Sequence, residues 1–168
     1  MAATQVDQDD SKYERNVREC EALGIPYGIY FYSYALNLED VNSEIQHCLR
    51  QVKKAKPSYG VWLDMEDGDG YKTNHGFPSK EMLVTICEKF LLGIEAAGYY
   101  AGLYASLSWL NGYLSDRRLD RFDKWVAQWS SANSYAGAYG MWQFTDKKYW
   151  KAGASPLTVI MPIMIIRP

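Results

Sequence analysis

Basic excess, cysteine pairs, histidine clusters and long apolar runs are all missing from this chain, and each absence removes a class of function. Eighteen Lys and Arg stand against 20 Asp and Glu, a net charge of -2. Nucleic-acid binders usually carry a basic stripe to meet phosphates, so no nucleic-acid partner is expected. The three cysteines, Cys20, Cys48 and Cys87, are odd in number and show no C-x-x-C spacing. Each lies in a helix-like pattern, which predicts buried free thiols rather than a disulfide framework or a zinc site. His47 and His75 have no ligand-like companions nearby and read as surface or cap residues. "DMEDGDG" lacks the later ligands of an EF-hand loop, so neither a metal nor another cofactor is expected. No G-x-G-x-x-G or P-loop follows a strand, which argues against nucleotide binding. The opening "MAATQVDQDD" is polar and acidic where a signal peptide needs a basic region and an apolar run. Nothing approaches the roughly 18 consecutive apolar residues of a membrane span, so no membrane partner is expected.

Aromatic rings are plentiful. They make up 15% of the 168 residues, with 14 Tyr and 6 Trp, more than core packing usually calls for. Tyr and Trp combine an apolar face with a polar edge, which suits a wet cleft that stacks on a ring-shaped polar ligand such as a carbohydrate. The length fits one domain, residues 1–168, with a sizeable core.

Helical and strand patterns alternate along the chain. Asp10 to Leu23 has helical spacing and stops at Gly24. "IPYGIYFYSYA" is rich in β-formers. Residues 38–55 place Val41, Ile45, Leu49 and Val52 on one stripe and end before Pro57. "YGVWLDME" is the next strand, and Ser79 can cap a helix running to Gly98. "YYAGLYAS", a short helix around Trp109 to Leu114, "KWVAQW" and "GMWQFT" complete the series. Such alternation predicts an α/β fold of parallel strands and crossover helices, either an open sheet or a (β/α) barrel.

In "VWLDMED", Asp64 and Glu66 stand two positions apart after an apolar run. In a strand, positions i and i+2 share a face, so both carboxyl groups would enter one space. The competing reading is a strand end running into a solvated acidic turn, since "EDGDG" is dense in turn residues. Other strand ends carry Tyr32 and Tyr34, Tyr104, Gln128, and Trp142 with Gln143. Barrel enzymes build their sites at that end of the sheet.

"GIPYGIYFYSYA", "VWLDMED", "GYYAGLYAS", "KWVAQW" and "YGMWQF" follow one another in the order and spacing of the glycoside hydrolase family 25 lysozymes, the Chalaropsis-type muramidases. The chain resembles that family over about residues 8–146. The resemblance implies a modified (β/α) TIM-type barrel that cleaves the β-1,4 bond between N-acetylmuramic acid and N-acetylglucosamine. It also implies peptidoglycan glycan strands as partner and an extracellular or cell-wall location. By the same likeness Glu66 is the general acid and Asp64 its charged neighbour, while Tyr32, Tyr34, Tyr104, Gln128, Trp142 and Gln143 line the sugar cleft. The chemistry agrees: glycoside hydrolysis needs one carboxyl protonated and another ionised, and two carboxyls close together in a dry pocket raise the pKa of one.

Two departures from the family pattern are expected to matter. The family's opening strand with D-V-S, and the strand after it, have no counterpart before residue 8, and Asp7, Asp9 and Asp10 read as a helix's solvated N-terminal region. At the other end, "GASPLTVIMPIMIIRP" replaces a strand of the form V-D-x-N. Shifting the reading frame over Leu157 to Ile166 permits Val-Asp-Ser-Asn-Tyr-Ala-Tyr-Asn-Asp-Tyr, which points to a frameshift between about Thr145 and Leu157 and makes residues 147–168 a divergent tail. The other reading of the tail is an apolar strand packing on the sheet. The barrel is therefore expected to be incomplete, with its first two strands absent and its last altered. Three functions stay open: a muramidase, a sugar-binding form without turnover, and a chain that self-associates through exposed strand edges.

Overall fold

The computed structural model describes residues 12–146 and 163–166. Helix α1 (Tyr13–Leu23) ends where Gly24 adopts φ 64°, and the Ile25 N–H closes back on the Cys20 carbonyl at 2.9 Å. Strand β1 (Gly28–Tyr32) leads to α2 (Leu38–Val52), whose first turn is capped by the Asn37 side chain accepting from the N–H groups of Glu39 and Asp40. Strand β2 (Val61–Asp64) is followed by a single turn, α3 (Tyr71–Asn74), and then by α4 (Lys80–Ala96), capped by Ser79. Strand β3 (Ala101–Ser106), α5 (Leu107–Asn111) and a 3-10 turn at Arg117–Leu119 precede β4 (Asp123–Ala127), β5 (Met141–Gln143) and β6 (Ile163–Ile166).

The sheet runs β5-β4-β3-β2-β1-β6, and every neighbouring pair is parallel. From β1 to β5 the order never reverses. Crossovers between parallel strands are right-handed, so a chain that always steps the same way lays its helices on one face. Accordingly α2 packs on α4, and α4 packs on β2 and β3. This is the winding of a barrel rather than of a doubly wound sheet, and among the described strands it stays open. The apolar tail segment β6 pairs with the β1 edge, in keeping with the reading of the tail as a strand on the sheet. Asp7, Asp9 and Asp10 lie outside the described residues, as do all but the first two residues of the stretch from about Thr145 to Leu157 in which the frameshift is expected.

Because side chains alternate along a strand, the two faces differ completely. Toward the helices point Ile29, Phe31, Val61, Leu63, Leu103 and Val126, all with no exposed surface. They meet Val41, Leu83, Ile86, Phe90, Leu91 and Ile94, with the Phe31 and Phe90 rings 5.1 Å apart. Each fully buried side chain of this size contributes about 1.5–3 kcal/mol. The three cysteines are buried and free, as their helical setting predicts. His47, expected at the surface or in a cap, is instead 1% exposed, because position 47 of α2 faces the sheet and its ring lies 6.2 Å from that of Phe31.

The face on which no helix lies among the described residues carries Tyr30 and Tyr32, Trp62 and Asp64, Gly102 and Tyr104, then Trp125, aligned across neighbouring strands. Gly102 is required there. Its missing side chain is the space that the six-membered ring of Trp62 occupies, and a Cβ would collide with that ring.

Besides His47, a second polar residue interrupts the buried face of α2. Glu44 is 3% exposed and accepts from the Ser33 hydroxyl at 2.8 Å and from the Tyr34 N–H at 2.6 Å. Those bonds explain why β1 is shorter than the β-rich run that contains it: beyond Tyr32 the chain hands the Tyr34 amide to a side chain rather than to the ladder. Burial pushes the Glu44 carboxyl up to about 7, against the lowering effects of Ser33, the Tyr34 amide and Lys72.

Two outcomes test this description. Gly102→Ala should cost about 1–3 kcal/mol in denaturant unfolding and shift the tryptophan emission, since overpacking displaces an indole; unchanged stability would contradict the contact. The Glu44 proton is held more tightly folded than unfolded, so between pH 4.5 and 7 this group makes stability fall as pH rises. Glu44→Gln should therefore gain on the parent by up to about 1.4 kcal/mol per pH unit across that window, then run parallel above it. Parallel curves throughout would show that Glu44 titrates normally.

Candidate active site

The C-terminal end of β2 sits near the middle of the sheet, between β1 and β3. Asp64 is the last strand residue and has no exposed surface, while Glu66, just beyond the strand, is half-buried. The backbone on both sides holds this end in place: the Ser33 N–H donates to the Asp64 carbonyl at 3.0 Å and the Met65 N–H to the Tyr104 carbonyl at 3.1 Å. Parallel pairing therefore continues past the last residues of β1 and β2, and the carboxylates are carried on rigid backbone.

Both acids act on the same three phenols. Burial first, then the charges of Asp64 and Glu66, drives the Tyr30 and Tyr104 hydroxyls well above their ordinary range. Tyr30 feels Asp64 most strongly of the charged groups around it. Tyr32 is raised by burial, then by Asp69, Glu66 and Asp64. Both carboxyl groups therefore lie within electrostatic reach of the same three phenols. The phenols, so strongly raised, remain protonated and able to donate throughout the neutral range.

The acidic turn after Glu66 is a built object. Asp67 accepts from the N–H groups of Lys72 and Thr73 at 2.7 and 3.0 Å and from the Thr73 hydroxyl at 2.6 Å, which folds α3 back toward the strand end. Asp69 accepts from the Tyr71 N–H, from the Tyr34 hydroxyl at 2.8 Å and from the Tyr32 hydroxyl at 3.3 Å. Burial works to raise the Asp69 carboxyl, but those donors outweigh it and hold it below the usual carboxylate range. Gly68 lies against the Glu66 carboxyl, where a Cβ would stand 3.4 Å from Oε1. Lys72 is fully buried under the turn.

The predicted site residues divide into two groups. Tyr32 and Tyr34 pack ring on ring at 4.9 Å beside Asp69, and Tyr104 donates to Gln143 Oε1 at 2.7 Å, so these four border the space of Asp64 and Glu66 on its two sides. Trp142 alternates with Gln143 and aligns with Val126 on the opposite face, its indole N–H reaching the Gln128 carbonyl at 2.9 Å. The Gln128 side chain is committed to Ser134, donating to its hydroxyl and accepting from its N–H at 2.8 Å each. Both residues secure the β4–β5 end of the sheet; neither joins the acids.

Several residues of this face were not anticipated from the sequence. Tyr30 and Trp62 lie two positions before Tyr32 and Asp64, so strand alternation alone could have found them. The Trp125 ring is 4.8 Å from Tyr104 and 6.1 Å from Trp62, and needs the β3–β4 register to be placed. Among the described residues no group of three or more His, Cys, Asp or Glu could hold a metal ion, and no helix is long and apolar enough to cross a membrane.

The profile of glycosyl hydrolases family 25 matches residues 1–152. No curated protein matches the chain. Among solved structures, the modular autolysin LytC from Streptococcus pneumoniae, in complex with a synthetic peptidoglycan ligand, is similar at TM-score 0.76 and 27% identity, over 84% of this chain and 35% of its own. The catalytic domain of endolysin ply40, from a bacteriophage of Listeria monocytogenes, is similar at TM-score 0.67 and 24% identity, over 89% of this chain and 73% of its own. The glycosyl hydrolase 25 GHIP of Streptococcus pneumoniae gives TM-score 0.68 and 18% identity, over 89% and 64%. The last two bear on the fold alone. The chain spans about a third of the length of LytC. With a family profile running over residues 1–152 and a singly wound sheet that carries its acids at the end of a central strand, the chain belongs to glycosyl hydrolases family 25.

Proposed function

We propose that the chain hydrolyses peptidoglycan glycan strands, cleaving the β-1,4 bond between N-acetylmuramic acid and N-acetylglucosamine, with Glu66 as general acid and Asp64 as its ionised neighbour. One observation carries the reading: Asp64 and Glu66 project from the end of one central strand into a space shared with Tyr30, Tyr32 and Tyr104. Two carboxyl groups in one poorly hydrated space resist joint ionisation, so one stays protonated. The half-buried Glu66 is placed to deliver that proton to the leaving-group oxygen. The buried Asp64 offers negative charge to the oxocarbenium-like centre that develops as the bond breaks. Sugar hydroxyl and acetamido N–H groups can donate to the phenol oxygens, whose own protons are held by Asp69 and Gln143, and ring faces find Tyr34 and Tyr104. The solved autolysin bound to a peptidoglycan ligand supports the substrate class and, with it, action at the cell wall outside the cytoplasm.

Release of reducing ends from purified peptidoglycan tests the assignment. Glu66→Gln should lower turnover by about 10²- to 10⁴-fold, the range of a lost general acid, while glycan binding persists. Asp64→Asn should lower kcat comparably with the melting temperature nearly kept. Turnover that survives Glu66→Gln would remove Glu66 from the role. Saturable binding by the parent without any release would assign the chain to glycan binding instead.

A further inference from the structure

Lys72 is unusual: a lysine with no exposed surface, on a one-turn helix, beneath the turn that carries the acids. Its ammonium donates to the Glu66 carbonyl at 2.8 Å and to the Ser33 carbonyl at 2.5 Å, and it lies 5.6 Å from the centre of the Tyr32 ring. Ser33 and Glu66 are the residues at which β1 and β2 leave the sheet. The Ser33 hydroxyl in turn donates to Glu44, whose other oxygen takes the Tyr34 amide. Asp67 closes the circuit from the far side by gripping the amides of Lys72 and Thr73. One cation thus joins the carbonyl of Glu66 to the segment that bears Tyr32 and Tyr34.

Burial of a lysine ammonium is costly unless it is paired and fully bonded. Here burial works to lower the Lys72 pKa, while Glu44, Asp67 and Asp64 pull it back up. A methionine or leucine could fill the same volume without that cost. What an apolar side chain cannot do is bond two carbonyls on different strand ends at once.

We propose that Lys72 is a positioning residue for the glycosidic step: by bridging the carbonyls of Glu66 and Ser33 it fixes how far the Glu66 side chain reaches over the aromatic face. The proposal rests on the reading of Glu66 as the acid. A displacement of about 1 Å at such a group costs on the order of 100-fold in rate, so the bridge acts through kcat and leaves ground-state glycan binding nearly intact.

The test compares the full-length parent with Lys72→Met and with the double variant Glu44→Gln/Lys72→Met. The single variant leaves the buried Glu44 carboxyl without its cation, so it must take up a proton or stay an uncompensated charge, and stability falls for that reason alone. In the double variant both charges are gone and the melting temperature should return toward the parent's. We expect kcat on soluble peptidoglycan fragments to stay about 100-fold down in the double variant, with KM within about threefold. Hydrogen exchange of residues 65–74 should remain accelerated about tenfold or more there, while residues 83–94 of α4 regain parental protection. Recovery of kcat together with stability in the double variant overturns the proposal, because the role would then be structural only. Turnover that survives Glu66→Gln sinks the underlying assignment instead. In that event the exchange of residues 65–74 decides for the bridge: acceleration upholds it and parental exchange overturns it.

Discussion

A parallel strand in a singly wound sheet lives in two environments at once, and the rest of this structure follows from that constraint. Every second residue must satisfy a helix layer and every other one a face that no helix covers. Ile29, Phe31, Val61 and Leu63 answer the first demand, and Tyr30, Tyr32, Trp62 and Asp64 the second, within the same two strands. A one-residue slip would bury the tyrosines against α4 and turn the aliphatic side chains outward, so core and site are fixed by the same register. Gly102 marks how tightly the second face is filled, since the large Trp62 indole fits only because the neighbouring strand has no side chain there.

The acids are separated by task through depth and partners. Asp67 and Asp69 are spent on architecture, one holding the first turn of α3 and the other collecting the Tyr32 and Tyr34 hydroxyls at and beyond the end of β1. The turn after Glu66 is therefore acidic for structural reasons, its carboxylates holding α3 and the Tyr32 and Tyr34 hydroxyls. Glu44 and Lys72 form a further charged layer beneath, bonded through Ser33. The opposing charges make each tolerable in the interior, where either alone would be a heavy burden on a domain of this size.

The helices and the alternation of elements were legible because amphipathic spacing and caps are local. Gly24, Asn37 and Ser79 each end or begin a helix where short-range chemistry says they should. The parallel sheet followed from the alternation, and the family followed from five strand motifs in order. What local patterns could not show was which side of the sheet stayed bare, because that depends on the handedness of successive crossovers. Trp142 illustrates the limit: W-Q at a strand end identifies the segment, but only the register with β4 shows that Gln143, not Trp142, turns toward Tyr104. His47 and Lys72 were illegible for another reason. Residues of their types are most often wet, and their burial is decided by partners distant in sequence: Phe31 for one, Ser33 for the other.

The way the site is held has a consequence for its chemistry. The backbone of both acids is held: the carbonyl of Asp64 takes the Ser33 amide, and that of Glu66 takes the Lys72 ammonium. Side-chain partners that bind a carboxylate tightly would favour its ionised form and spoil a general acid. Anchoring through carbonyls fixes the geometry of the pair without itself favouring either protonation state of the carboxyls. The donors that do approach the acids are phenols, held protonated by the same field, so they can stabilise developing charge without taking the proton that the reaction needs. A stiff backbone beneath the acids and weakly acidic hydroxyls around them suit the proposed reaction, which needs one carboxyl protonated and the other ionised.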